Sequence, residues 1–265
     1  MQIATWNVNS LRVRLPQLLD WLGANQPDIV ALQETKLLDA AFPAAEIGAA
    51  GYHVVFNGQK TYNGVAILAR TPLSGAVIEI PSFDDDQRRV LAASCAGVRV
   101  VNLYVPNGQA PGSDKYEYKL RWLKALRVWL RAELAQYPQL LVLGDFNIAP
   151  DDRDVHDPEA WVGSVHVSEP EREALGELLQ IGFLDVFRQF DQPPQAFSWW
   201  DYRAGAFRRN HGLRIDLILA SRVLAPRCTG CRIDRLARSA ERASDHAPVI
   251  ASFDISLPGP ALALP

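Results

Sequence analysis

Ten short apolar runs recur along the chain, and several carry no polar alternation at all. They are "IATWNV" (3–8), "DIVALQET" (28–35), "YHVVFNG" (52–58), "GVAILAR" (64–70), "AVIEI" (76–80), "VLAAS" (90–94), "VRVVNLYV" (98–105), "LLVLGDF" (140–146), "LRIDLILAS" (213–221) and "PVIASFDI" (248–255). A strand with one wet face alternates apolar and polar residues. Unbroken runs predict strands covered on both faces. Helical spacing falls between them in "RLPQLLDWLGAN" (14–25), "DKYEYKLRWLKALRVWLRAELAQY" (114–137) and "SEPEREALGELLQIG" (168–182). Ser113 is placed to cap the second, and Ser168-x-x-Glu171 is a capping box for the third, with Gly182 to close it. Strands mixed with helices throughout predict an α/β (α+β) sandwich. One domain is expected over residues 1–256, with a Pro-rich, loose tail over 257–265.

The bulk numbers narrow the function classes. The 265 residues leave room for a large core. No apolar run reaches membrane-spanning length, and the N-terminus lacks the pattern of a signal peptide, so a cytoplasmic protein is expected. A net charge of −3 argues against gripping nucleic acid by charge alone. Basic patches exist locally at 87–90 and 207–210, and Arg121, Lys124, Arg127 and Arg131 are read as the solvated face of a helix. Three cysteines cannot frame a disulfide scaffold. Cys228 and Cys231 form a lone C-x-x-C with no further zinc ligands at suitable spacing, and are read as structural.

The polar residues that interrupt this pattern gather at strand ends. Asn7 and Asn9 end the first run, Glu34 the second, Tyr104 and Asn107 the seventh, Asp145 and Asn147 the eighth. Asp216 lies inside an apolar run, and Asp245 and His246 open the last. Ligand sites of α/β folds form where strand ends and loops converge. A buried carboxylate needs a partner. Asp216 with His246 would make a carboxylate–imidazole pair that fixes the tautomer and favours the charged ring. Asp145 is then free to act as a base for water. Glu34 with Asn7 offers hard oxygen ligands suited to Mg²⁺ or Mn²⁺, and Asn147 and Tyr104 offer neutral donors. Such a set suits metal-assisted hydrolysis of a phosphodiester.

These segments resemble the exonuclease III family of DNA-repair nucleases, within the endonuclease/exonuclease/phosphatase fold shared with deoxyribonuclease I. The matching pieces, in family order, are "IATWNVNSLRVRL", "PDIVALQETK", "GQKTYNGVAIL", "RRV", "GDFNIAP", "FSWWDYR", "GLRIDLILAS" and "SDHAPV". The resemblance implies a four-layer sandwich of two mixed sheets, and Mg²⁺-dependent cutting of double-stranded DNA at abasic sites and 3′ ends; no sequence feature demands an oligomer, so a monomer is expected. It implies Glu34 as main metal ligand with Asn7 beside it, and Asp145 as the residue that orients or deprotonates water. Asn147 and Tyr104 are implied as phosphate contacts, His246 as binder of the scissile phosphate, and Asp245 as part of a second metal position. One metal or two, and attack begun by Tyr104 or by Asp145, are both compatible with it.

Trp199, Leu213 and Ile215 match positions that wall a small apolar pocket for a base-less sugar, with Asn107 and Asn210 expected alongside. One residue departs from the pattern. His166 stands where relatives that cleave abasic sites carry a small side chain. A ring there would narrow access for a flipped sugar while leaving 3′-end trimming intact; a solvated loop histidine is the alternative. The competing functions are a predominantly 3′-terminal exonuclease and phosphodiesterase, a phosphatase of small or lipid phosphates on the same fold, and a DNA-binding protein with a dead site.

Overall fold

The computed structural model describes residues 1–81 and 83–255, so the tail expected over 257–265 lies outside the described residues. The strands are β1 (Gln2–Asn7), β2 (Ile29–Gln33), β3 (His53–Asn57), β4 (Val65–Ala69), β5 (Ser74–Val77), β6 (Val90–Cys95), β7 (Val98–Tyr104), β8 (Leu140–Asp145), β9 (Phe183–Asp185), β10 (Asp216–Ser221), β11 (Cys228–Ile233) and β12 (Val249–Phe253). The α-helices are α1 (Leu11–Asn25), α2 (Ala44–Ala49), α3 (Asp114–Gln136), α4 (Pro158–Trp161), α5 (Glu169–Gln180), α6 (Ala206–Arg209) and α7 (Arg235–Arg238). Among the described residues no helix is long and apolar enough to cross a membrane.

The strands form two six-stranded mixed sheets, ordered β11-β12-β1-β2-β4-β3 and β5-β6-β7-β8-β10-β9. Each holds one parallel pair near its middle, β1 with β2 and β7 with β8. One core lies between the sheets, where Ile3, Ile29, Ile67 and Val249 of the first meet Leu91, Val100, Leu143 and Ile218 of the second. A second core packs α3 and α5 on the outer face of one sheet. A third packs α1 and α2 on the other. Every central strand is therefore covered twice, which is why its run is apolar without alternation. The four-layer sandwich is as expected.

The helix signals hold. Ser113 Oγ accepts from Tyr116 N at 3.2 Å, and the Ser168–Glu171 capping box forms. Arg121, Lys124 and Arg131 are exposed, as a solvated face requires, but Arg127 is half-buried and pairs with Glu177 of α5 at 2.5 Å. Three strand readings change. The "AVIEI" strand starts and ends earlier, at Ser74–Val77; Ile80 leaves the sheet and is buried against α3 instead. Leu213 to Ile215 precede β10, with Leu213 making only isolated bridges to Val155 and Trp199. β9 and β11 carry too few apolar residues to stand out in sequence. Cys228 and Cys231 lie within β11 itself, and the stretch after it turns into α7. All three cysteines are free thiols.

The topology brings the polar strand ends to one edge of the sandwich. Asn7 ends β1, Glu34 follows β2, Tyr104 ends β7 and Asp145 ends β8. β10 runs antiparallel to β8 with Asp216 opposite Asp145, and β12 runs antiparallel to β1, so His246 enters at the same edge. Gly144 is required here. A Cβ on it would sit 1.9 Å from Leu103 O, and its absence lets β8 press against β7 just before Asp145.

Candidate active site

The centre is a chain of carboxylates and one imidazole. His246 Nδ1 lies 2.9 Å from Asp216 Oδ2, and its Nε2 lies 3.8 Å from Asp145 Oδ2. Asp216 is fully buried; Ser198 Oγ donates to its Oδ2 at 2.6 Å and accepts from the backbone N–H groups of Ile215 and Asp216. Burial works against a charge on His246, but Asp216 and Asp145 outweigh it and push the ring up to about 10. The imidazole is therefore a cation at neutral pH, with Nδ1–H committed to Asp216 and Nε2–H turned toward Asp145. Burial pushes the Asp145 carboxyl up to about 7 against the pull of His246.

Asn7 ties this pair to Glu34. Its Nδ2 donates to Glu34 Oε1 and to Asp145 Oδ2, each at 2.9 Å, while its Oδ1 accepts from Asn9 N. The amide thus bridges the carboxylates by its nitrogen rather than offering them an oxygen, unlike the ligand expected from sequence. Lys36 Nζ sits 2.8 Å from Glu34 Oε2 and 2.5 Å from Asn9 Oδ1. Burial opposes the charge of Glu34, yet Lys36 and Asn7 hold its carboxyl below the usual value. Glu34, Asp145 and His246 bring ligand atoms within 4.8 Å of one another, a group able to hold a metal. The carboxylate oxygens suit a hard divalent ion. Burial, then the charge of Glu34, raises the Tyr104 phenol well above its ordinary value, so it stays a donor.

The loops that carry these groups are strained. Glu34, Lys36, Asn9 and Asn147 all have left-handed φ, at 52°, 55°, 41° and 50°, conformations that non-glycine residues adopt only under constraint from their surroundings.

Other expected residues fall differently. Asn147 is committed inward: its N–H donates to Asp145 Oδ1 at 2.9 Å, and its Nδ2 to Val105 O at 3.0 Å. It orients Asp145 and has no free donor for phosphate. Asp245 accepts from Asn9 Nδ2 and from Trp199 Nε1, and so couples the metal side to the apolar side. Trp199, Leu213 and Ile215 do meet, in a cluster with Ala149, Val155, Trp161 and Val167. Leu213 and Ile215 are 0% and 2% exposed and line no open space themselves, while Trp161 and Trp199 are half-buried. Asn107 instead lines an open cleft of about 620 Å³ with Gln59, Tyr62, Arg89 and Lys115. Asn210 is spent within its own loop, accepting from Trp200 Nε1 and donating to Gln195 O. Sequence reasoning missed Lys36, two residues beyond Glu34 in "QETK", and Ser198, which has no signal of its own.

His166 is buried and not a solvated loop residue. Its Nδ1–H donates to Asn147 O at 2.6 Å, and Asn107 Nδ2 lies 3.3 Å from Nε2. Burial, then the charge of Lys119, lowers the ring to about 4. A histidine held neutral stabilises the fold fully above its unfolded pKa near 6.5. That stability is lost as pH falls through about 4, because the unfolded chain takes up the proton first. Chemical denaturation in EDTA should therefore show wild type losing on the order of 3 kcal/mol between pH 7 and 4 through this group. His166→Gln should show a shallower loss; equal slopes would count against the neutral ring.

Two mixed sheets packed face to face, with carboxylates and an imidazolium at one edge, define a hydrolase of phosphodiesters. The chain belongs to the Endonuclease/Exonuclease/phosphatase family, whose profile matches residues 4–246. Its relatives place it in the exonuclease III branch, among DNA-repair nucleases. It is 35% identical to Exodeoxyribonuclease III of Haemophilus influenzae over 266 residues, 96% of this chain and 100% of that one. The 3′ phosphatase NExo from Neisseria, solved with a product DNA hairpin, matches with TM-score 0.95 and 48% identity over 96% of this chain and 100% of that one. An AP endonuclease from Archaeoglobus fulgidus matches with TM-score 0.93 and 41% identity at the same coverage.

Proposed function

We propose that this protein is a monomeric, cytoplasmic, Mg²⁺-dependent nuclease that works chiefly at 3′ ends of duplex DNA, with abasic-site incision the weaker activity. The observation that carries the preference is the buried ring of His166, next to an apolar cluster whose Leu213 and Ile215 are closed to solvent. A sugar flipped out of intact duplex needs a vacant pocket; a 3′ terminus does not. The likeness to a Neisseria protein described as a 3′ phosphatase supports the same reading.

Glu34 would be the main ligand of Mg²⁺, which when bound polarises a phosphoryl oxygen and makes water a better nucleophile. Asp145 accepts the proton of the attacking water, its carboxylate aimed by Asn7 and by the Asn147 N–H. The water oxygen bonds to phosphorus as the bond to the 3′ oxygen breaks, and the departing oxygen takes a proton from solvent, leaving a 3′-hydroxyl and a 5′-phosphate. His246 Nε2–H and the Tyr104 hydroxyl donate to the phosphoryl oxygens as negative charge builds.

Two end-labelled duplexes test this, each with Mg²⁺ and with EDTA. One has an internal abasic site and the other a recessed, normal 3′ end. The recessed end is expected to be shortened at least tenfold faster than the abasic site is cut, and EDTA should stop both. Faster abasic cutting would overturn the preference, and no cutting of either with Mg²⁺ would overturn the nuclease reading. His166→Gly should raise abasic incision relative to trimming. The φ of 77° at His166 suits glycine, so the backbone accepts the change.

A further inference from the structure

We propose that Lys119 is a positioning residue of the nuclease reaction, acting through Asn147 on Asp145; this rests on Asp145 being the group that takes the water proton. Lys119 is fully buried on the inner stripe of α3, between Tyr116 and Trp122. An apolar residue belongs at such a place. A buried ion pair is a poor stabiliser compared with apolar side chains of the same volume. What the ammonium adds is direction: its Nζ donates to Asn147 O at 2.7 Å and to Asn107 O at 3.2 Å, and pairs with the equally buried Glu171. Glu171 is itself fixed by the backbone N–H groups of His166 and Ser168. There is no slack above the lysine stem, because a Cβ on Gly108 would stand 3.1 Å from Lys119 Cδ.

The carbonyl of Asn147 thus takes two donors, Lys119 Nζ and His166 Nδ1. They hold Asn147 in its left-handed conformation, and in that conformation its N–H reaches Asp145 Oδ1. The line of force runs from α3 through one backbone carbonyl to the carboxylate that faces the water. A displacement of about 1 Å at a reacting group can cost on the order of 10² in rate.

The test is Lys119→Met/Glu171→Leu, which leaves no lone charge buried, assayed on a duplex with a recessed 3′ end. Steady-state kinetics should show kcat lowered 10- to 100-fold, with KM and the Mg²⁺-induced shift in Tm within twofold of wild type. Asn147→Ala keeps both backbone groups but disfavours the left-handed φ of 50° and removes the Nδ2 contacts to Val105 O and Asp145 Oδ2; it should lower kcat by itself, and the triple variant should lose less than a further twofold, because both changes loosen the same residue. An unchanged kcat, or losses that multiply in the triple variant, would overturn the proposal. If the double variant does not fold, Lys119→Met/Glu171→Gln, which removes both charges and keeps an acceptor for the N–H groups of His166 and Ser168, is read by the same criteria. Asp145→Asn separates the underlying reading: wild-type turnover in that variant would sink the reading itself, whatever Lys119 does.

Discussion

Asp145→Asn is expected to abolish most turnover while making the protein more stable. The amide keeps the shape and still accepts from the Asn147 N–H, but it cannot take a proton from water; the loss of such a group is on the order of 10²–10⁴ in kcat. Stability moves the other way. A carboxyl held up to about 7 in the folded chain has an unfolded value near 3.8, so ionising it opposes folding. The folded state binds the extra proton between those values, and wild-type stability falls as pH rises through that window. At pH 8 in EDTA the contribution is a few kcal/mol, and removing it should raise Tm by several degrees. Differential scanning calorimetry in EDTA and single-turnover assays in Mg²⁺ read the two effects from one preparation. A variant that is inactive and also less stable would show that Asp145 is not held at the expense of the fold.

The second large effect lies in the pair opposite. Asp216→Asn should leave His246 in place but remove its main counter-charge. The ring then drops from about 10 toward its ordinary value, and its Nε2–H cation is missing above neutral pH. Wild type should hold its kcat up to about pH 9. The variant should approach wild-type activity only near pH 6 and fall about tenfold per pH unit above its new pKa. His246→Gln should lose on the order of 10²–10³ at every pH. It should also destabilise the fold by roughly 3–5 kcal/mol, since Asp216 is left buried without its cation. A pH–rate profile for Asp216→Asn parallel to wild type would refute the charged-ring assignment.

The fold and the centre of this site were legible because both follow from local rules. Unbroken apolar runs required strands covered on both faces, and two outer helical layers cover them. Asp216 stood out as a carboxylate with no place in an apolar run, and its partner proved to be His246. What escaped was set by packing over long distances. The polarity of Asn7 toward the carboxylates depends on Asn9, and the commitment of Asn147 on Val105. The closing of Leu213 to solvent depends on Val155 and Val167, each from a segment remote in sequence. Lys119 was readable in retrospect, as a lysine at spacing 3 within the stripe Tyr116, Lys119, Trp122. Its target was not, since Asn147 and Lys119 are 28 residues apart.

The order in which the strands lie along the chain has a consequence for a nascent polypeptide. β1, the first of the described strands, is hydrogen-bonded to β12, the last of them, and Met1 N lies 2.9 Å from Phe253 O. The carboxylates are contributed by segments spread over the whole length, and the imidazole arrives only with residue 246. Until residue 246 and β12 are made, Asp216 lacks its imidazole partner and the first sheet lacks the strand that joins β11 to β1. The pairing of β1 with β12 and the assembly of Glu34, Asp145 and His246 at one edge therefore depend on the same late segment.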